Sequence, residues 1–158
     1  VIHRLTTTVV ALIGISATTI ACTPRHDGQS ERVIDSAEYV HIYKATIQDF
    51  PEPLPARIAF PDEPPHMEGD IGIGNAAGAA YFYWVCSWED VFLTATTDTE
   101  RHEAAAHLSD FPNTTWGLSH YDDSEGIWKK LVESAELGDL TELRQFYRSD
   151  CGFYRSQQ

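Results

Sequence analysis

The sequence predicts a mainly α fold: a small domain of about four helices around one central helix, with a proline-rich extended strap laid across it. Three observations carry this. Residues 76–96 are apolar around most of a helical circumference, with Tyr81, Trp84, Val85, Trp88, Val91 and Phe92 on one face and Phe82, Cys86 and Leu93 flanking it. A helix apolar on so many sides is enclosed by its neighbours. Helix-start signals then recur downstream: Thr97 has Glu100 three residues on, and Asp139 has Glu142. Finally, six of the eight prolines fall between Pro51 and Pro65. Their fixed φ and missing N–H groups exclude helix and interior strand there.

Taken in order, residues 22–30 are short and polar with Pro24 and Gly28, and read as a tether before a single globular domain of residues 31–158. Glu31–Asp49 carries two patterns. Val33, Ala37, Val40 and Ile47 fit one helical face, while Tyr39–Tyr43 alternates as a strand does; the helix is the favoured reading. In the proline-rich stretch, Phe50, Leu54, Ile58 and Phe60 interleave with the prolines, as in a strap packed on its own core. The P-x-x-P spacing of Pro61–Pro64 also fits a docking ligand, but such matches arise easily by chance. Gly69–Gly78 reads as an approach loop to the central helix. The helix opened by Thr97 carries Ala104, Ala105 and Leu108 inward and stops before Phe111-Pro112, followed by a loop with Trp116, Gly117 and Tyr121. A third helix starts at Ser124 or Glu125, with Ile127, Trp128, Leu131 and Ala135 on its buried side and Gly138 as a left-handed stop. The last helix, capped by Asp139, turns Leu140, Leu143 and Tyr147 inward and ends near Cys151.

Charge and cysteine count bear on location. Residues 1–21 hold no acid and only Arg4 as a full positive charge, and Val9–Ile20 is an apolar run closed by Ala21-Cys22. That run is too short for a bilayer, which needs about 20 residues, and matches a secretory signal peptide that is removed. Thr19-Ile20-Ala21-Cys22 resembles the lipobox of bacterial lipoproteins, although Thr19 stands where that family usually has Leu. The resemblance implies a lipid on Cys22, with the protein anchored at the outer face of the cell membrane; ordinary cleavage after Ala21, giving a secreted protein, is the alternative. Cys22, Cys86 and Cys151 are an odd number for an exported chain, and assigning Cys22 to lipid leaves one pair. A Cys86–Cys151 disulfide encloses 64 residues. Without residues 1–21 the chain has 10 basic and 24 acidic residues, a net charge of −14. This argues against nucleic acid, which requires clustered cations, and against a polybasic membrane contact. The membrane is therefore expected as a partner only through the lipid, and an envelope or protein partner is left unnamed.

The remaining motifs fall short of chemistry. His102 and His107 resemble a zinc-protease helix pair but stand five residues apart, about 140° around a helix, so no shared metal is expected. Gly72, Gly74 and Gly78 miss the dinucleotide fingerprint by one position, so no cofactor is expected. Asp122-Asp123-Ser124-Glu125-Gly126 fails as a calcium loop, because an EF-hand alignment puts Tyr121 and Val132 where carboxylates belong. The same acids suit a helix N-terminus. Gly117-Leu118-Ser119-His120-Tyr121 lacks the last glycine of a nucleophile elbow. Glu89 is the one weak catalytic candidate, a carboxylate within the apolar flank of the central helix. It reads foremost as half of a buried ion pair with Arg101, Arg144 or Arg148, and alternatively as the general acid of a small extracytoplasmic hydrolase. With no complete catalytic constellation, the favoured function is an exported, lipid-anchored, envelope-associated binding or structural protein.

Overall fold

The computed structural model describes residues 32–158, and these are mainly helical. A short antiparallel pair, β1 (Val33–Ile34) and β2 (Ile71–Gly72), joins the start of the described chain to the start of the central helix, with Val33 opposite Gly72 and Ile34 opposite Ile71. Between them lies α1 (Ser36–Gln48), capped by Asp35, whose side chain accepts the Glu38 N–H. The predicted helix is present, but its buried residues are Tyr39 and Tyr43, while Val33 and Ala37 are exposed. Positions i and i+4 share a face in a helix and in a strand alike, which is why the sequence carried both patterns there.

The central helix α2 (Ile73–Thr94) has 22 residues, and its buried positions run all the way round. Against it pack α1, α3 (Asp98–Asp110), α6 (Thr141–Asp150) and α7 (Gly152–Ser156), with α5 (Ile127–Glu136) behind α3. The main core gathers Trp84, Trp88 and Phe92 of α2 with Leu108 of α3, Trp128 and Leu131 of α5, and Leu143 of α6. α3 begins with the expected capping box, in which Thr97 and Glu100 exchange side-chain-to-backbone bonds. Gly138 ends α5 at φ 99°, with Gly138 N–H on the Ala135 carbonyl and Asp139 N–H on the Ser134 carbonyl. This is the glycine-terminated double bond of a Schellman motif.

Further details differ from expectation. The stretch Gly69–Gly78, expected as an approach loop, forms β2 and the opening turns of α2 from Ile71 onward. Past α3 the chain does not open into a loop: it coils on as a 3₁₀ turn (Phe111–Asn113) and a short α4 (Gly117–His120). Thr114 holds this corner, bonding the Phe111 carbonyl and the Gly117 N–H with one hydroxyl. The third helix starts at Ile127, whose side chain is exposed; the buried face is Trp128, Leu131, Val132 and Ala135. Asp139 accepts the Thr141 N–H from outside the helix, with Leu140 at the cap position and no box to Glu142. The chain then continues beyond Cys151 into α7, which buries Tyr154.

Residues 50–67 form the strap, and α1 and α2 hold it through side-chain donors. The indole N–H groups of Trp84 and Trp88 both reach the Pro53 carbonyl, at 2.8 and 3.0 Å. Tyr83 donates to Ala59, Tyr43 to Pro61 and Tyr39 to Pro65. Prolines cannot enter a ladder, so the carbonyls among them need donors from elsewhere; here five aromatic side chains supply them. Phe50 and Phe60 complete the seam, 4.8 Å apart by ring centroid, with Phe50 4.7 Å from Tyr81.

Candidate functional site

Cys86, Glu89 and Asp90 stand at i, i+3 and i+4 on α2, a spacing that sends all three side chains to one side of the helix. That side meets the α6–α7 junction, where Cys151 sits between the two helices. Cys86 and Cys151 form the expected disulfide, S–S 2.05 Å with Cα atoms 5.5 Å apart. Tyr83 and Tyr154 pack around it in a small core of their own, with Leu54, Ile58 and Phe60 of the strap alongside.

Glu89 is fully buried, at 0 % exposure. Its Oε2 lies 3.4 Å from Cys151 Sγ, and its Oε1 has no hydrogen-bond partner. Both sulfurs are spent in the disulfide and carry no proton, so this contact is a hydrogen bond only when the proton is on Glu89 and the carboxyl donates to sulfur. Burial, with the charge of Asp150 added to it, pushes the Glu89 carboxyl up to about 9. It is therefore a neutral acid at pH 7. The expected arginine is not there. Arg101 donates to the Ala95 carbonyl and lies 3.7 Å from Asp98, while Arg144 and Arg148 point to solvent. Protonation, not an ion pair, is what makes the burial of Glu89 tolerable.

Asp90, one residue on, is satisfied. It accepts the hydroxyls of Tyr147 at 2.8 Å and Tyr154 at 3.3 Å. Both hydroxyls are pushed up strongly, by burial first and by Asp90 second, and stay protonated donors. Arg155 lies over the Tyr147 ring, 5.9 Å from its centroid.

Beside the disulfide opens a cleft of about 310 Å³, walled by Tyr39, Met67, Phe82, Tyr83, Trp116, Phe153 and Tyr154. Cys86 lines it, and Asn75 and Asp150 supply its polar edge. Trp116 closes one end by donating to the Gly74 carbonyl at 3.0 Å and lying flat on α2 at Gly78. A Cβ there would fall 2.9 Å from the Trp116 ring, so Gly78 serves this close approach and not a phosphate. Glu89 does not border the cleft, and its enclosure withholds it from any substrate bond in this conformation.

The other sequence candidates are not brought together. His102 is exposed, whereas His107 is half-buried and stacks on Trp88 at 4.0 Å. Asp122 accepts the Ser124 N–H, and Asp123 accepts those of Trp128 and Lys129, closing the start of α5. Among the described residues no three His, Cys, Asp or Glu side chains gather as a metal site, and no helix is long and apolar enough to cross a membrane. Cys22 and the signal region lie outside the described residues. No family model, curated protein or solved structure matches the chain.

Sequence reasoning missed the tyrosine pair on Asp90 and the cleft. One signal for the pair was present. Tyr147 and Tyr154 are seven residues apart, two helical turns, and they keep a common side although the helix breaks between them at Cys151.

Proposed function

We propose that this chain is an extracytoplasmic binding protein, anchored by lipid on Cys22, whose ligand is a small molecule with an apolar or aromatic body and a cationic end. The cleft carries the binding part of the reading: about 310 Å³ of mostly apolar wall with a carboxyl group, Asp150, and an amide, Asn75, at its edge. Apolar walls with a few placed polar groups are the usual make-up of small-ligand sites. Among the described residues the one charged group in the lining is acidic, which favours a cation. The anchoring part rests on the cysteine count, since Cys86 and Cys151 take each other and leave Cys22 without a partner in the chain.

Two measurements test the reading. Phenethylamine, phenethyl alcohol and phenylpropionate are titrated against the protein while Trp116 fluorescence and amide shifts are followed. The amine is expected to bind tightest, with shifts at Asn75 and Asp150, and Ala79→Trp, which fills the cleft, is expected to abolish them. Equal response to all three compounds, or none, overturns the ligand class. Intact mass of the native protein is expected to show acyl chains on Cys22, where two chains at about 0.8 kcal/mol per buried methylene hold a protein stably at a membrane. An unmodified Cys22, or a chain starting beyond it, overturns the anchor.

A further inference from the structure

We propose that the Cys86–Cys151 disulfide is redox-active, exchanging with small thiols that enter the cleft, and that Glu89 is the acid that protonates the departing sulfur. Three observations converge. Cys86 lines the cleft whereas Cys151 does not, so of two buried cysteines Cys86 is the one that a thiol in the cleft reaches first. The Cys151 sulfur is the one Glu89 touches, at 3.4 Å from Oε2. The carboxyl has no other partner: Oε1 is unbonded, and no cation stands within ion-pairing distance among the described residues. A purely structural disulfide gains little from such a neighbour, and a Leu or Met at position 89 would fill the space without an unsatisfied oxygen. An acid held neutral by burial, against the sulfur that must leave, is the arrangement that general-acid catalysis requires.

The exchange balances as follows. A thiolate in the cleft attacks Cys86 Sγ, forming a mixed disulfide. The Cys86–Cys151 bond breaks with its electron pair on Cys151 Sγ. The Glu89 proton passes to that sulfur, leaving a Cys151 thiol and a Glu89 carboxylate. A second thiol, giving up its proton, attacks the small-molecule sulfur of the mixed disulfide; the bond to Cys86 breaks, Cys86 Sγ takes the electron pair and that proton, and the two small thiols leave as a disulfide. The thiols are oxidised and the protein disulfide reduced. In the reverse direction the Glu89 carboxylate accepts the Cys151 proton and regenerates the attacking thiolate. Of the groups around Glu89, Asp150 on α6 is the charge that favours its neutral form, while the Tyr147 and Tyr154 hydroxyls of α6 and α7 donate to Asp90 of α2 and not to Glu89. Burial and Asp150 together keep it protonated through neutral pH.

The test measures reduction by 2-mercaptoethanol between pH 6 and 9.5, scaled to thiolate concentration, on the intact protein and on Glu89→Gln. The native protein is expected to react at least ~100-fold faster than Glu89→Gln at pH 7, the lower edge of what a positioned acid contributes, with the advantage closing as pH passes about 9, where Glu89 ionises. Equal rates at every pH overturn the proposal. Leu108→Ala, which weakens the core away from the disulfide, separates native exchange from exchange through unfolding. Its rate is expected to match that of the native protein; acceleration in step with lost stability overturns the proposal. Acid-quenched reaction with glutathione is expected to place the adduct on Cys86, and an adduct on Cys151 overturns the assigned order of attack.

Discussion

The two sides of α2 handle buried polarity in opposite ways. On the strap side, indole and phenol donors of Trp84, Trp88 and Tyr83 meet carbonyls that proline chemistry had left without partners. On the disulfide side, Glu89 is buried just as completely, yet one oxygen has no partner and the other touches a sulfur. The first arrangement holds the fold together. The second costs stability wherever the carboxyl would rather be ionised, and a residue kept at a cost is where function is sought.

That contrast breaks most visibly at the disulfide. Replacing both Cys86 and Cys151 by Ala is expected to lower stability by about 4 kcal/mol in the chain-entropy account for a loop of this length, read by urea denaturation against the native protein. Next comes Glu89→Gln. The folded protein holds the Glu89 proton up to about 9, while the unfolded chain releases it near 4.5, the ordinary value for Glu. The proton-linked stability is therefore fully present below 4.5 and lost as pH climbs from 4.5 to 9, at roughly 1.4 kcal/mol per pH unit. Denaturation of the native protein is expected to show this slope, and that of Glu89→Gln to be flatter. At pH 7 the variant is expected to be the more stable, by up to about 3 kcal/mol less whatever the extra amide donor costs. A destabilised Glu89→Gln with an unchanged slope would show that the carboxyl is ionised and paired after all. On the strap side the effects are smaller. Tyr43→Phe removes one hydroxyl from the Pro61 carbonyl and is expected to cost about 1 kcal/mol, seen as a lower thermal midpoint. Lys44→Ala, which breaks the exposed pair with Glu63, is expected to change stability by less than about 0.5 kcal/mol. A larger loss at Lys44 than at Tyr43 would mean that ion pairing, not aromatic donors, secures the strap.

Legibility from sequence followed the range of the forces involved. The central helix was readable because apolar residues on every side of a helix leave one place for it. The Thr97–Glu100 box and the Gly138 stop were readable because caps are local. The cysteine pair followed from counting, and its geometry agrees. What failed was long-range. Glu89 was correctly placed in an apolar stripe, but its expected arginine depended on where three flexible side chains end up, and no spacing encodes that. Ile127 matched the helical period yet sits in the first turn of α5, facing water. The chain beyond Cys151 was too short for a periodic signal, so α7 and its Tyr154 went unread. The cleft has no local signature at all, since its wall is drawn from α1, the strap, α2, α6, α7 and the α4 corner.

The donors that hold the strap also make it unusually visible to hydrogen exchange. Six of the eighteen residues from 50 to 67 are prolines with no amide proton, so backbone exchange is blind at a third of the strap. The protons that matter are on the indole nitrogens of Trp84 and Trp88, both directed at Pro53 and both buried. They can trade with deuterium only when the strap lifts. Two tryptophan side-chain resonances therefore time the opening of this segment directly, and a difference between their rates would reveal which end of the Pro53 contact loosens first.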